Sequence, residues 1–470
     1  MKELLRVENL CVFAGDTPLV EPVSFSLKAG ERLTLLGQTG SGKSLLMQAI
    51  MGTLPKELRS QGVMEVAGQV FNLGAMTASM HKARVKLWGV QVSALPQEPW
   101  TALDPLMPAQ TQLSETLRWV GGYGGKDAHS EAAARLTRLG LKGAEGKRVD
   151  QLSGGMAQRV AIACAMAGGA SILLADEPTK GLDVSRRDQV ISDLREQTQD
   201  GVLITITHDV DVARQLPGRM MVIQQGCVLE TGDVESIINA PQHPFTQALI
   251  DASPASWTKE ARDTVDTSPV LSVKDLTIAR GGKPLQRDLN FEVHAGEVLG
   301  VVGDSGCGKS TLGDTLLGML TPESGRIKRH VTAASHQWLK LYQDPVASVP
   351  SSVSLRTLLD DVLRRHAIAP DDVPPLMQQL ELTEEVLTRT ADGVSGGELQ
   401  RFCMLRALLM KPVCLFADEP TSRLDPITAK KVSAMLVTAA QKQRCAVILV
   451  SHDPDLIDHR CDRVIRLSAL

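Results

Sequence analysis

Aromatic residues are scarce in this chain, and long apolar runs are missing. Phe, Trp and Tyr make up 3% of the 470 residues, whereas hydrophobic residues make up 43%, so we expect cores built mostly from aliphatic side chains. No uninterrupted apolar run approaches the roughly 20 residues of a membrane-spanning helix. The first residues, MKELLR, do not have the pattern of a signal peptide. Any role at a membrane is therefore expected to depend on partner proteins.

Paired cysteines and a strong excess of charge are missing as well. The eight cysteines are scattered without a Cys-x-x-Cys pair, which argues against a metal or iron–sulfur centre and is typical of a reducing cytoplasm. The formal net charge is only -4, so no nucleic acid partner is expected. A chain of 470 residues is long for one domain, and two domains are the starting expectation.

Residues 37–44, GQTGSGKS, have the phosphate-loop pattern of glycine, four residues and Gly-Lys-Ser. The preceding apolar run predicts a buried strand, and the following residues predict a helix. The glycines let backbone N–H groups point at a phosphate chain, and the helix N-terminus adds partial positive charge. The lysine would reach the β- and γ-phosphates and the final serine would bind Mg²⁺. The predicted nucleotide-binding residues are Gly37, Gly40, Ser41, Gly42, Lys43 and Ser44.

The same pattern occurs a second time at 303–310, GDSGCGKS, again after an apolar run. A repeat of this length indicates a domain duplication rather than a solenoid. We predict ATP-binding domains at 1–255 and 270–470 with a linker at 256–269, where mostly polar, proline-containing sequence extends over 251–268. The nucleotide-binding residues predicted in the second copy are Gly303, Gly306, Cys307, Gly308, Lys309, Ser310 and Thr311.

Two carboxylates end a buried apolar strand in each half. These are Asp176 with Glu177 in the first half and Asp418 with Glu419 in the second. Ligands bind at the carboxyl ends of strands in open α/β sheets. We therefore predict that both aspartates hold Mg²⁺ and that both glutamates polarise the water that attacks the γ-phosphate.

A histidine ends a later strand in each half. Glu177 and His208 are 31 residues apart, and Glu419 and His452 are 33 residues apart. A single histidine at a strand end is often structural, but its repetition predicts a contact with the γ-phosphate in both halves.

The segments LSGG at 152–155 and VSGG at 394–397 resemble the signature sequence of ABC-type ATPases. Together with the phosphate loops, Asp-Glu pairs and histidines, these segments give each half of the chain a full set of the family's motifs. The resemblance adds D-loop residues, Asp183 and Asp425, and glutamine loops whose Gln97 and Gln343 are implied to act in catalysis and to bind Mg²⁺. The implied fold class is α/β: tandem P-loop nucleotide-binding domains, each with an ATPase core and a helical subdomain, using ATP and Mg²⁺.

The resemblance also implies a head-to-tail sandwich, in which the signature of each half shares the ATP of the other half's phosphate loop. A serine-glycine-glycine helix start would supply N–H donors to the γ-phosphate. The signature residues added to the predicted nucleotide-binding set are Ser153, Gly154, Gly155, Ser395, Gly396 and Gly397.

Two further segments are similar to the oligopeptide, dipeptide and nickel importer ATPases: HPFTQAL at 243–249 and QDP at 343–345. This similarity implies uptake of a peptide, nickel or metal-chelate solute. The implied partners are two transmembrane permease subunits and an extracytoplasmic solute-binding protein, with this chain on the cytoplasmic face of the inner membrane. The family's usual adenine-stacking aromatic is missing at the aligned positions Ala14 and Arg280, for which Phe13 and the Arg280 guanidinium are the expected substitutes.

Three other classes remain as alternatives. Fused ABC proteins that act on ribosomes usually carry a long, charged helical linker, whereas 251–268 is short and has few basic residues. Fused sugar-importer ATPases usually lose catalytic residues in one site, but both Glu177 and Glu419 are present. A structural or binding protein would give no reason for two complete catalytic sets. We therefore expect two sites that both hydrolyse ATP.

Overall fold

The computed structural model describes residues 3–97, 99–152, 154–180, 182, 184–258, 268–304, 306–422 and 424–468. The chain divides into two compact units, Met1–Ile250 and Asp251–Leu470. Most of the predicted linker, 259–267, lies outside the described residues, so the boundaries at 255 and 270 stay predictions.

The first unit contains two sheets and nine α-helices among its described residues. Its strands are β1 (Glu3–Ala14), β2 (Thr17–Lys28), β3 (Arg32–Leu36), β4 (Leu58–Val66), β5 (Gln69–Asn72), β6 (Val92–Leu95), β7 (Ile172–Asp176), β8 (Val202–Thr207), β9 (Arg219–Gln224) and β10 (Cys227–Asp233). Its helices are α1 (Lys43–Met51), α2 (Ala78–Val85), α3 (Ala109–Trp119), α4 (Gly125–Arg138), α5 (Gly154–Ala165), α6 (Val184–Gln197), α7 (Val210–Gln215), α8 (Val234–Asn239) and α9 (Pro244–Ala252), the last of which ends just past the division between the units.

The two sheets of the first unit differ in the direction of their strands. Strands β2-β1-β4-β5 form an antiparallel sheet, and β10-β9-β3-β8-β7-β6 form the second sheet, in which all pairs except β10–β9 are parallel. Strands β7 and β8 are buried along their whole length, as expected for continuous apolar strands of a parallel sheet covered on both faces. The carboxyl ends of β3, β7 and β8 therefore meet at one edge.

The second unit repeats this plan in a shorter form. Its strands are β11 (Pro269–Arg280), β12 (Lys283–His294), β13 (Val298–Gly303), β14 (Ser324–Arg329), β15 (Trp338–Leu341), β16 (Cys414–Asp418), β17 (Ala446–Val450) and β18 (Arg463–Leu467). Its helices are α10 (Lys309–Leu316), α11 (Leu355–His366), α12 (Val373–Gln379), α13 (Glu384–Thr388), α14 (Gly396–Leu409), α15 (Pro426–Gln443) and α16 (Pro454–Arg460). The described strands pair as β12-β11-β14 and as the parallel sheet β15-β16-β17-β13-β18.

The two units differ most between the phosphate loop and the glutamine. Lys43 and Gln97 are 54 residues apart, whereas Lys309 and Gln343 are 34 residues apart. Both segments hold the phosphate-loop helix, a turn of 3₁₀ helix and the strand before the glutamine. Between these, the longer segment has β4, β5 and α2, whereas the shorter one has only β14 among its described residues. The first hairpins of the two units are alike, because β1, β2, β11 and β12 are twelve residues long each.

Aliphatic side chains fill the space on both faces of the parallel sheet. In the first unit, Leu46 and Ile50 of α1 belong to one cluster with Ile204 of β8, and Val160 of α5 and Leu173 of β7 belong to another. The phosphate-loop helix and the signature helix are thus fixed in the same unit by packing against the sheet that ends at the carboxylates.

Candidate functional site

The first phosphate loop connects β3 to α1. Gly42 precedes the helix with a φ of 94°, and a Cβ there would lie 3.0 Å from Cγ2 of Val20, so glycine meets both the backbone and the space requirement. The buried Lys43 Nζ donates hydrogen bonds to the carbonyl oxygens of Gly37 at 2.8 Å and Gln38 at 2.6 Å, and to Ser41 Oγ at 3.1 Å. The ammonium group is therefore fixed across the loop rather than extended into solvent.

The second loop connects β13 to α10 in the same manner. Gly308 has a φ of 104°, and Lys309 Nζ donates to the carbonyl oxygens of Gly303 at 2.6 Å and Asp304 at 3.0 Å. Cys307 takes the place of Ser41; its side chain is buried, and burial raises the pKa of its thiol. Thr311 is buried in the first turn of α10. The second loop thus shares with the first the left-handed glycine before the helix and the inward-bound lysine, and it differs in the side chain before that glycine.

The phosphate-loop serine and the strand-end aspartate are neighbours in both units. Asp176 accepts a hydrogen bond from the Ser44 side chain, and Asp418 accepts one from the Ser310 side chain. Both carboxylates are buried, and burial raises their pKa values, while the serine hydrogen bonds act in the opposite direction. Each pair brings a hydroxyl and a carboxylate together, which are oxygen ligands suited to a hard cation such as Mg²⁺.

The glutamate after each aspartate has an unusual backbone conformation. Glu177 has a φ of 45° and Glu419 a φ of 47°, in the left-handed region that non-glycine residues rarely adopt. Their N–H groups donate to the carbonyl oxygens of Ile206 at 2.9 Å and Val450 at 3.1 Å, which ties each turn to the neighbouring strand. Retention of this conformation in both copies indicates that the turn aims the glutamate side chain, as strained residues do at functional sites.

In the first unit, the predicted glutamine and histidine converge on this glutamate. Glu177 Oε1 lies 2.9 Å from His208 Nδ1, and Glu177 Oε2 accepts a hydrogen bond from Gln97 Nε2 at 3.2 Å. Lys180 adds an ion pair at 3.3 Å from Oε2. Burial by itself would raise the pKa of Glu177, but the hydrogen bond and charge of His208 outweigh it and lower that pKa well below its usual value; Lys180 and Lys43 act in the same direction.

The second unit forms the same cluster. Glu419 Oε2 accepts a hydrogen bond from Gln343 Nε2 at 2.8 Å and lies 3.4 Å from His452 Nδ1. Burial opposes the shift, but His452 lowers the pKa of Glu419, helped by Lys309 and Gln343. Conversely, burial lowers the pKa of His452, and the Glu419 carboxylate raises it more. A carboxylate with a depressed pKa is a weak proton acceptor, so both clusters are better suited to orienting and polarising a water than to removing its proton outright.

The signature segments start helices, as expected. Helix α5 begins at Gly154 and α14 at Gly396, so the glycines Gly155 and Gly397 lie in the first turns of these helices. Ser153 and Asp183 lie outside the described residues. In the second unit, Asp425 accepts a hydrogen bond from Thr428 N at 3.2 Å and caps α15.

The second signature helix begins with a capping box. Ser395 Oγ accepts from Glu398 N at 3.2 Å, and Glu398 Oε2 accepts from Ser395 N at 2.8 Å. The corresponding position in the first unit is Met156. The box fixes the serine that is predicted to face a phosphate.

We predict that Glu398→Met, which introduces the residue of the first unit, lowers the free energy of unfolding of the second unit by about 1 kcal/mol. Glu398→Gln is the matched control, because glutamine can still accept the Ser395 N–H bond and should cost less. Urea denaturation of the two variants and the wild type measures the difference. Equal losses for both substitutions would show that the capping hydrogen bond does not contribute.

Two lysines that sequence reasoning missed also reach the carboxylates. Lys180 contacts Glu177, and Lys340 Nζ lies 3.4 Å from Asp418 Oδ2. Lys340 interrupts the otherwise apolar Trp-Leu-Lys-Leu of β15, which was an available signal for a buried charge. Near the predicted adenine position, the Arg59 guanidinium lies over the Phe13 ring, 4.7 Å from the ring centroid.

A family comparison decides the class of protein to which these sites belong. A model of the ABC transporter family matches residues 20–180 and 286–422, which include both phosphate loops and both Asp-Glu pairs. The chain belongs to the ABC transporter family. It carries two fused copies of the ATP-binding domain and is an ATPase, as the resemblance predicted.

Two relatives match almost the whole chain. The uncharacterized ABC transporter ATP-binding protein YejF of Escherichia coli (strain K12) is 32% identical over 504 residues, covering 99% of this chain and 94% of that protein. The glutathione import ATP-binding protein GsiA of the same organism is 31% identical over 536 residues, covering 98% of this chain and 84% of that protein. Both chains are thus similar to this one through both ATP-binding domains.

Solved structures confirm the fold class. The structure of archaeal ribosome recycling factor aABCE1 with ribosomal stalk protein aP1 matches with a TM-score of 0.65 at 20% identity, covering 93% of this chain and 83% of that chain. A structure of RNase-L inhibitor matches with a TM-score of 0.64 at 20% identity, covering 98% of this chain and 87% of that chain. At this identity, the likeness concerns the fold alone.

No helix of the part described here has the length and apolar character needed to cross a membrane.

Proposed function

We propose that this chain is the ATP-hydrolysing subunit of an importer, and that it drives uptake of a small peptide-type solute through separate membrane subunits. The observation that carries the proposal is the glutamate–glutamine–histidine cluster, complete in both units of a chain that aligns with GsiA over 98% of its length. GsiA is named for glutathione import, which favours a peptide-type solute. Neither of the two relatives is named for nickel or a metal chelate, so that part of the expectation has no support from them.

Each unit offers the residues needed for nucleotide and metal. Mg²⁺ is proposed to bind between the serine and aspartate oxygens and the glutamine side chain: Ser44, Asp176 and Gln97 in the first unit, and Ser310, Asp418 and Gln343 in the second. Among the described residues, no group of three or more His, Cys, Asp or Glu side chains could hold a metal by itself. The ion would therefore need the phosphates and water to complete its shell, as Mg²⁺ in nucleotide enzymes usually does. When bound, it would neutralise the charge of the β- and γ-phosphates.

The side chains around that position have separate tasks. The phosphate-loop lysines would bind the phosphate oxygens, and the loop N–H groups would cradle them. Glu177 and Glu419 would orient and polarise water. His208 and His452 hold those carboxylates and would also contact the γ-phosphate. From the family resemblance, the signature of each unit is proposed to act on the ATP held by the other.

The glutamine loops are the proposed contact with the membrane subunits, at 97–106 and 343–353. Leu106 is 79% exposed and Val346 is 46% exposed, so each unit presents an apolar side chain there. Leu103 is instead buried in the core of the first unit, and the Trp100 side chain lies outside the described residues. Exposed apolar side chains in the segments that follow the two glutamines suit the end of a partner helix. Through such partners the chain would act on the cytoplasmic face of the inner membrane, and an extracytoplasmic binding protein would deliver the solute.

Cysteine crosslinking tests this assignment. We predict that Leu106→Cys and Val346→Cys, treated with a thiol crosslinker in native membranes, capture polytopic membrane proteins that mass spectrometry identifies. Val70→Cys is the control, because Val70 is 60% exposed on β5, outside the proposed contact. Equal capture by the control, or capture of ribosomal proteins instead, would contradict the importer and would revive the ribosome alternative.

A further inference from the structure

The second unit contains a lysine where the first has an alanine. Lys340 on β15 pairs with Phe416 of β16, and Ala94 on β6 pairs with Leu174 of β7. Phe416 and Leu174 each lie two residues before the strand-end aspartate. The two positions are therefore equivalent in the sheet, and the change from alanine to lysine is a local difference between the two sites.

The Lys340 side chain is 6% exposed and has well-defined partners. Its Nζ lies 2.7 Å from Asp314 Oδ1, 3.4 Å from Asp418 Oδ2 and 3.5 Å from the Ser310 carbonyl oxygen. Ser310 and Asp418 are two of the three residues of the second unit proposed above to bind Mg²⁺. The fixed ammonium group of Lys340 therefore contacts the Asp418 carboxylate, on which the second metal site depends.

The compensating charge comes from the helix that follows the phosphate loop. Asp314 follows Ser310 by four residues on α10, which is one helical turn or about 6 Å along the axis. The equivalent residue of the first unit is the neutral Gln48, whose Oε1 is buried and makes no hydrogen bond with the residues that the structure describes. The first unit thus has neither member of the buried pair, and in the second unit the positive member is the one that contacts Asp418.

The first unit places its additional lysine elsewhere. Lys180 contacts Glu177 Oε2, and its counterpart in the second unit is Ser422. The additional ammonium therefore contacts the water-orienting glutamate in the first unit and the proposed metal-binding aspartate in the second.

We infer that Lys340 is a positioning residue that gives the second site a lower affinity for Mg²⁺ than the first, an inference that rests on the proposed ATP sites. A divalent cation at Ser310 would be repelled by the ammonium and would find Asp418 already partly neutralised. Because Asp314 compensates part of the charge, we expect a difference on the order of tenfold in the Mg²⁺ requirement. The two sites then fill at different free Mg²⁺ concentrations, the first before the second.

The test uses the full chain with one phosphate-loop lysine removed. Lys43→Ala leaves the second site for nucleotide, and Lys309→Ala leaves the first. Binding of the fluorescent analogue mant-ATP is titrated with free Mg²⁺ in chelator buffers. The Mg²⁺ affinity of the nucleotide itself is common to all variants. We expect a half-saturating Mg²⁺ concentration about tenfold higher for the second site than for the first.

Exchange of the paired residues distinguishes charge from packing. In the Lys43→Ala protein, Lys340→Ala with Asp314→Gln restores the residues of the first unit and should lower the half-saturating Mg²⁺ concentration to the first-site value. Lys340→Arg keeps the charge and should keep the higher value. If the exchange impairs folding, the reciprocal Ala94→Lys with Gln48→Asp in the Lys309→Ala protein should raise the first-site value.

Two outcomes would overturn the inference in different ways. Equal Mg²⁺ requirements in the two single-site proteins, or an exchange variant that binds mant-ATP with an unchanged requirement, would refute the role of Lys340. Either result would leave the proposed ATP sites standing. Failure of both single-site proteins to bind mant-ATP at any Mg²⁺ concentration would refute the ATP sites, and the inference with them.

Discussion

Replacement of both Glu177 and Glu419 by glutamine is expected to slow ATP hydrolysis by on the order of 10²–10⁴-fold, while ATP binding stays intact. Each glutamate is the meeting point of a glutamine and a histidine, and none of the loop hydrogen bonds from Lys43 or Lys309 depends on it. Glutamine preserves the shape but removes the charge that polarises water. Phosphate release measures hydrolysis, and mant-ATP fluorescence measures binding.

The same double variant tests the transport proposal. Cells that carry it should lose uptake of labelled glutathione or short peptides, because binding alone cannot complete a cycle. The matched control is Glu57→Gln with Glu323→Gln, which removes two exposed carboxylates of the same type outside the clusters. Hydrolysis within twofold of wild type in the Glu177 and Glu419 variant would reject both residues as water-orienting groups.

The repeated motifs made the fold and the phosphate loops predictable from the sequence. A phosphate loop needs a strand, glycines at fixed positions and a helix start, and all of these are encoded within about a dozen neighbouring residues. The strand-end Asp-Glu pairs were accessible for the same reason. The features that could be predicted were therefore those encoded by neighbouring residues, and the duplication supplied each of them in two copies.

Contacts between distant segments could not be obtained in this way. Gln97 and Glu177 are 80 residues apart and meet only because β6 pairs with β7 in one particular register. The left-handed backbone of Glu177 has no sequence signal, since non-glycine residues adopt it only when the surrounding structure imposes it. The resemblance implied a role for Gln97, but the hydrogen bond that connects it to the glutamate came from the structure.

Lys340 shows that the sites of the two halves differ more than their motifs indicate. By motif, nothing in either half is degenerate, and the sequence predicted two comparable sites. The pair that Lys340 forms with Asp314 joins a strand to the phosphate-loop helix, and neither residue belongs to a motif. Such a change of charge beside a site with complete motifs can be detected only when the strand register and the helix that faces the strand are known.

The single variants should show whether the sites act independently. Glu177→Gln should silence the site built on Lys43, and Glu419→Gln the site built on Lys309. Independent sites would leave about half of the wild-type phosphate release in each single variant. The family resemblance implies that each ATP is shared by both halves, so one unhydrolysed ATP would hold the pair together. We therefore expect each single variant to fall well below half, toward the loss of on the order of 10²-fold or more seen when a water-orienting group is removed.

Measurements at saturating Mg²⁺ separate this coupling from the metal effect of Lys340, because both sites are then loaded. Lys340→Ala with Asp314→Gln, which removes the buried charge pair, should not change the ratio between the two single variants under that condition. Wild-type hydrolysis in one single variant together with complete loss in the other would contradict two active sites. That result would make one unit a structural ATP holder, as in the fused sugar-importer alternative, even though its glutamate, glutamine and histidine are all in contact.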